Sequence, residues 1–382
     1  MHKKITGVVL LTIGILVIIG GTLFIHKANQ ERILLPPTLS CELLLEEEPF
    51  SCDLLVKKAN AGVYQYVCQY TLDETGEISL TDKNHWQSYE DTIGNDIYTQ
   101  LKNLSEKSLT QVLKTDTGFL LIFHGTLEEP ITIIETDLAG TILFSYDFMA
   151  NNYSTPCETV FADAECLYIL SYRQNTDELC ITTVNKETGE ETTTSFSYND
   201  LSGEMKEETR MGGFIFEGAN LWIQNNVLYF AETCYSQEPG TVIAAYDLIA
   251  DKPLYYQKIE NTQVMAVRWQ SDIDRFFVLL NEKNYTPLRL LEFVLSSGEE
   301  ISQTELALPE EFIAEDAQPG DYYLFTVDMT ENYVAVVMDD QSENTDDTRK
   351  NILVVYQSQS GDMVYRSRLT LDANYEIYSV AI

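Results

Sequence analysis

Between residues 131 and 148 the chain reads ITIIETDLAGTILFSYDF, two short runs rich in Ile, Thr, Phe and Tyr flanking Asp137-Leu-Ala-Gly140. Glycine reaches the positive φ that a tight turn needs, so this segment predicts a β-hairpin. The same pattern recurs as VYQYVCQYTLDETGEISL around Gly76, ITTVNKETGEETTTSF around Gly189, LLEFVLSSGEEISQTEL around Gly298 and ILVVYQSQSGDMVYRSRL around Gly361. A sixth copy, VIAAYDLIADKPLYY, carries Ala250-Asp251 where the others have glycine. The turn positions 76, 140, 189, 250, 298 and 361 lie 64, 49, 61, 48 and 63 residues apart. That spacing is too irregular for a solenoid and suits a four-stranded blade with loop insertions of variable length.

The predicted fold is therefore all-β: a six-bladed β-propeller, with seven blades as the alternative, preceded by an N-terminal transmembrane helix. GFLLIFHG, CLYILSY, VLYFAE, RFFVLLN and YVAVVMD supply the second strands of successive blades. The C-terminal YEIYSVAI is an inner-strand pattern with nothing after it. It is predicted to complete the first blade, whose outer strands lie near residues 63–81, and so to close the ring without an exposed inner edge. Residues 83–107 read as a helix or irregular insertion, from the spacing of Tyr89, Ile93, Ile97 and Leu101. Residues 199–211, 308–321 and 339–350 are polar insertions, where recognition is expected.

Residues 5–25 hold no charged side chain, and at about 1.5 Å rise per residue the run is long enough to cross a hydrocarbon core. It predicts a retained membrane helix. A cleaved signal has an apolar region of about 7 to 15 residues and a small-residue site, where this chain has Phe24, Ile25 and His26. The expected organisation is a cytoplasmic tail (1–4), a transmembrane helix (5–25), a stalk (26–40) extended by Pro36-Pro37, and an extracytoplasmic body (41–382). The free amino terminus, Lys3 and Lys4 outweigh Lys27 and Arg32 offset by Glu31, which sets a cytoplasmic N-terminus and a single-pass protein of the cell membrane.

Charge narrows the partners. The chain has 60 acidic and 24 basic residues, a net charge of −36, and beyond residue 32 the balance is −39. Such a body repels nucleic acid and anionic headgroups and leaves cations and basic protein surfaces as partners. All seven cysteines follow the membrane run, and an odd number leaves at least one thiol unpaired or bonded to another chain. Cys41 with Cys52 is the preferred bridge, and the others read as buried thiols. With only His85 and His124 in the body, a histidine-rich metal site is excluded.

The turns Asp73-Glu-Thr-Gly76-Glu and Asn185-Lys-Glu-Thr-Gly189-Glu resemble the D-x-x-T-G turn of quinoprotein-like (PQQ-type) β-propeller repeats. The resemblance implies that these turns join the two outer strands of a blade. In that family a tryptophan after the glycine docks one blade on the next; here Leu80, Phe144, Phe196 and Tyr255 stand at those positions, without the cofactor signature. Members without cofactor imply a scaffold for protein assembly.

The inner turns place Asp116, Asp163, Asp272 with Asp274, and Asp328 with Glu331 near the predicted axis. Converging there, they offer oxygens to a hard cation such as Ca²⁺, the one cofactor considered. Asp is equally a favoured turn residue through its own side-chain to backbone bonds. The acidic run 339–347 lacks EF-hand spacing, His124 sits inside a strand as a core histidine, and no G-x-S-x-G occurs. No catalytic set emerges. The expected function is a membrane-anchored scaffold for a protein or cell-surface ligand; the alternative is a carbohydrate-active or hydrolytic enzyme using channel carboxylates.

Overall fold

The computed structural model describes residues 36–58, 67–85, 107–115, 117–124, 129–149, 153–173, 179–196, 220–234, 240–282, 288–309, 326–339, 345 and 347–382. The predicted membrane helix, the stalk up to residue 35, residues 86–106 of the predicted insertion, all of 199–211, and most of 308–321 lie outside the described residues, as do 340–344 and 346 of the third polar insertion. Among the described residues no helix is long and apolar enough to cross a membrane.

The described chain is all-β and builds six antiparallel sheets. A strand near the N-terminus, β1 (Leu39–Glu46), comes before them. The first sheet takes β2 (Cys52–Lys58), β3 (Val67–Leu72) and β4 (Ile78–His85). The second holds β5 (Ser108–Lys114), β6 (Gly118–His124), β7 (Ile131–Asp137) and β8 (Ile142–Phe148), and the third β9 (Tyr153–Ala162), β10 (Cys166–Arg173), β11 (Leu179–Asn185) and β12 (Glu191–Phe196). The fourth holds β13 (Leu221–Gln224), β14 (Val227–Cys234), β15 (Gly240–Asp247) and β16 (Lys252–Glu260). The fifth holds β17 (Thr262–Gln270), β18 (Arg275–Glu282), β19 (Leu288–Val294) and β20 (Glu300–Leu306). The sixth takes β21 (Thr326–Met329), β22 (Tyr333–Asp339), β23 (Thr348–Gln357) and β24 (Met363–Asp372), and the chain ends in β25 (Tyr375–Ala381). Within each sheet these strands lie side by side in chain order. The opening hairpin is β7–β8, paired from Ile131↔Phe148 to Thr136↔Ile142.

In the second to sixth sheets the middle strands are apolar on both sides, whereas β2 and β3 of the first alternate buried and part-exposed residues. β15 is buried along seven consecutive residues and β6 along six, the signature of a sheet covered on both faces. The covering elements are the neighbouring sheets. Leu120 and Ile133 of the second sheet pack with Leu167 and Ile169 of the third; Tyr168 and Ile181 of the third pack with Phe230 and Val242 of the fourth. Ala231 and Ile243 then meet Phe276 and Phe293 of the fifth, Leu279 and Leu290 meet Val334 and Val354 of the sixth, and Leu353 and Tyr365 meet Leu54 and Leu72 of the first. Fully burying side chains of this size contributes about 1.5–3 kcal/mol each.

Both ends of the chain leave their sequence neighbours. The C-terminal β25 pairs with β2 from Asp53↔Ala381 to Lys58↔Tyr375 and completes the first sheet, as the YEIYSVAI pattern predicts. Beyond that expectation, β1 pairs with β24 from Leu39↔Leu371 to Glu46↔Tyr365 and gives the sixth sheet a fifth strand. The last described residues of the predicted stalk are bound to the body: Thr38 N donates to Asp372 Oδ2 at 2.9 Å and Tyr70 Oη donates to Pro37 O. Between β1 and β2, Glu48 accepts from Tyr333 Oη at 2.8 Å and Gln357 Nε2 at 2.7 Å.

The expected Cys41–Cys52 bridge is not formed; Cys41, Cys52, Cys166 and Cys180 are free thiols. Cys41 lies on β1 in the sixth sheet and Cys52 opens β2 in the first. Burial, with small contributions from Asp53 and Cys41, pushes the Cys52 thiol up to about 12, which keeps it protonated and inert.

Deleting residues 375–382 is expected to abolish the cooperative thermal transition of the whole chain, because β2 and the sixth-sheet cluster lose their cover together. Calorimetry checks this, and a truncated protein that melts as sharply and as late as the full chain contradicts it.

Candidate binding cleft

Each sheet joins its two outer strands through a turn with one left-handed residue: Gly76, Gly140, Gly189, Asp251 (φ 52°), Gly298 or Gly361. In the fourth sheet it is Asp251 and not Ala250, since Asp tolerates this conformation better than a residue without a short polar side chain. In four sheets the turn is tied to the inner turn of its own sheet by one backbone bond: Lys186 N to Glu165 O, Leu248 N to Asn226 O, Leu295 N to Asp274 O and Ser358 N to Asn332 O, at 2.8–3.0 Å. The outer turn also rests on the outer strand of the preceding sheet. A Cβ added at Gly298 would lie 2.5 Å from the Tyr255 ring, and one at Gly361 would strike the Glu305 carbonyl.

What that outer strand carries decides whether the contact is filled. Opposite the residue two places before the turn, the second, fourth and sixth sheets place an aromatic: Phe144 faces Glu135, Tyr255 faces Ala245 and Tyr365 faces Val355. Tyr255 fills the space under the next turn, and its hydroxyl donates to Leu295 O at 3.0 Å. The third sheet places Thr192 there, opposite Thr183, as the first and fifth place Ser79 and Ser302. Threonine is too short to reach. A cleft of about 420 Å³ lies between β12 and the turn of the fourth sheet, lined by Thr183, Thr192, Thr193, Thr194, Ser195, Asn226, Leu248, Ile249 and Asp251.

Hydrogen bonds hold both walls. Thr194 Oγ1 approaches Leu248 O at 3.5 Å across the cleft. On the far wall Asp247 Oδ1 accepts from the amides of Ile249 and Ala250, and Tyr246 Oη donates to Asp251 Oδ1 at 2.8 Å. Ile249 is 77% exposed at the rim. Beneath it, Asn225 and Asn226 take left-handed conformations in the inner turn of the fourth sheet. Asn226 N donates to Tyr168 Oη at 3.0 Å, Tyr168 Oη donates to Asp163 Oδ2 at 2.7 Å, and Asn225 N donates to the same oxygen at 3.0 Å. Burial alone would raise the Asp163 pKa, but these donors and the amides of Cys166 and Glu165 outweigh it and hold the carboxyl below the usual range.

The sequence-predicted carboxylates are spent in different places. Asp163 braces the floor of the cleft, as just described. Asp272 lies in the 3-10 turn Ser271–Ile273, whose residues are not buried. Asp274, at φ 58°, accepts from Ser296 N at 2.9 Å and Ser296 Oγ at 2.7 Å, fastening the two turns of the fifth sheet. Asp328 Oδ2 accepts from Ile382 N at 2.9 Å and so anchors the chain terminus. Asp116 lies outside the described residues. Among the described residues no three His, Cys, Asp or Glu side chains gather where they could hold a metal ion. His124 is half-buried, and burial lowers its pKa.

The cleft itself was not read from the sequence. Its signal is the run Glu191-Thr-Thr-Thr-Ser195 after a turn where three of the other repeats carry an aromatic. Matching Phe196 to the family's docking residue misses this, because the strand register gives that place to Thr192. At Phe144 and Tyr255 the inter-sheet packing matches the role the resemblance implies: both pack in clusters shared with the next sheet.

No family model matches the chain, and no curated protein sequence matches it. Among solved structures it is similar to a Synechocystis ACO point mutant, with 11% identity, 81% of this chain and 68% of that chain covered, and a TM-score of 0.41. It is also similar to the Cps50 (Swd1) β-propeller domain of Myceliophthora thermophila, with 10% identity, 88% and 99% covered, and a TM-score of 0.34.

Asp163 generates a pH prediction. Its folded pKa is depressed, so its stabilisation is complete above an unfolded value of about 3.9 and is lost as pH falls through the lower folded value. Asp163→Asn is expected to cost roughly 1–3 kcal/mol at neutral pH and to leave a shallower loss of stability in acid. Urea denaturation at neutral and acid pH measures both; parallel curves for variant and parent contradict the assignment.

Proposed function

We propose that this chain is a membrane-anchored, extracytoplasmic six-bladed β-propeller that serves as a binding scaffold, with the threonine-rich cleft as a ligand-recognition site. The second to sixth sheets, which pack in chain order, and the first, which packs on the sixth and exchanges strands with it, support the closed ring. The uncharged run 5–25 supports the anchor.

The observation that carries the reading is the chemistry of the cleft. It presents five hydroxyl groups, one amide, one carboxylate and the exposed Ile249. These groups recognise hydrogen-bonding partners through many small contacts and give one apolar foothold. Among the described lining residues none is a His, Cys, Lys or Arg, and no described nucleophile there stands beside a strong base. With Asp251 on one wall and a body of net charge −39, the fitting ligand is a neutral or basic segment of a surface protein or glycan.

Full-length protein in lipid nanodiscs, screened against peptide and glycan arrays, tests this. Thr192→Arg and Ile249→Asp, both at exposed positions, are expected to weaken capture by about tenfold or more, about 1.4 kcal/mol, without moving the melting temperature. Unchanged capture by both variants contradicts the cleft, and hydrolysis of an array glycan by the unmodified chain contradicts the scaffold reading in favour of the enzyme.

A further inference from the structure

Outer strands of sheets expose unpaired backbone groups, and natural proteins guard them with charge or cover. Five of the six outer strands here follow that rule. β4 contains Asp82 and Lys83, β12 begins with Glu191, β16 carries Lys252, Lys258 and Glu260, and β20 carries Glu300 and Glu305. β24 is covered by β1. β8 departs from it. Its sequence is ILFSYDF, and its single charge, Asp147, is met by Lys107 Nζ at 3.6 Å and accepts from Thr132 Oγ1 at 2.5 Å.

The same strand is the most apolar exposed region among the described residues. Leu138 and Leu143 are each 56% exposed, Met149 53% and Ile142 45%, four of the ten exposed large hydrophobics on one hairpin. A comparison within the molecule shows what such an edge lacks. In the second, fourth, fifth and sixth sheets, the residue three places after the left-handed turn residue forms a one-residue bulge: Leu143, Leu254, Ile301 and Val364. The first three stand 42–56% exposed, whereas Val364 is 3% exposed because β1 lies over it and Glu47 N donates to its carbonyl. An added antiparallel strand is thus the cover that this outer-strand geometry accepts.

We infer that β8 pairs antiparallel with β8 of a second copy of this chain. The strand is self-complementary. With Tyr146 opposite Tyr146 of the other copy, Phe144 meets Phe148, Leu143 meets Met149 and Ser145 meets Asp147, and the two-fold axis repeats each contact. The paired stretch begins at the bulge carbonyl, as it does in β24. No unpaired charge is buried, because Asp147 already has its cation. The strongly acidic bodies repel one another, a repulsion screened within about 10 Å at 0.1 M salt. Pairing through β8 therefore strengthens as ionic strength rises, whereas a basic partner strand would bind more weakly.

The test uses the full chain. A benzophenone photocrosslinking residue at position 143, in protein reconstituted into liposomes, is expected to give a product of twice the mass with both linked peptides containing β8. In mild detergent, sedimentation is expected to show a dimer favoured by salt. The double variant Leu143→Lys, Met149→Lys should weaken it roughly tenfold or more, while Ile301→Lys, at the equivalent rim position of the fifth sheet, leaves it unchanged and both keep the parental melting temperature. Crosslinks only within one chain or only to unlike proteins, a monomer at every salt concentration, or a dimer indifferent to the double variant each overturn the inference.

Discussion

From the second sheet to the sixth, the middle strands are apolar on both faces, so the stability of each sheet depends on neighbours it cannot choose locally. A lone four-stranded sheet with buried runs such as those of β15 or β23 would leave one such face in water. The requirement passes from sheet to sheet along the chain and reaches the first and sixth sheets. The molecule answers by exchange: the last strand joins the first sheet and the first strand joins the last. Glu48 and Asp372 fix these crossings with hydrogen bonds spanning hundreds of residues of sequence, and Asp328 holds Ile382 at the end of β25.

The turns that carry the repeat have a second role. Those at Gly298 and Gly361 rest closely on the preceding sheet's outer strand. Tyr255 under Gly298 makes a filled contact. Thr192 beside the Asp247–Asp251 turn leaves space, and the hydroxyl-rich cleft lies there. The braced pair Tyr168 and Asp163 keeps the floor in place, so the cleft is preformed and not a gap awaiting collapse.

Much of the fold was legible because a hairpin writes itself locally: alternating apolar residues, a left-handed turn residue and a strand partner within about ten positions. The closing strand was legible for a different reason, as an inner-strand pattern with no successor. β1 was not, since its partner lies more than three hundred residues away and Pro36-Pro37 just before it resembles a linker. Site chemistry was harder still. In a chain with 60 acidic residues, Asp at a turn says that the turn exists and not what the carboxylate faces, and Asp163, Asp274 and Asp328 proved to bind three unrelated sets of amides and hydroxyls. The cleft lies where a ring is missing, and an absence shows only once register sets the strands against each other.

If strand exchange at the termini is what makes the sheets one cooperative unit, damage there must be felt on the opposite side. Native-state hydrogen exchange of the β14 amides, in the fourth sheet, measures this in full-length protein carrying Val380→Asp in the buried face of β25. Loss of protection in β14 by the same factor as in β2 is the predicted result; loss confined to the first and sixth sheets, with β14 unchanged, would contradict the account.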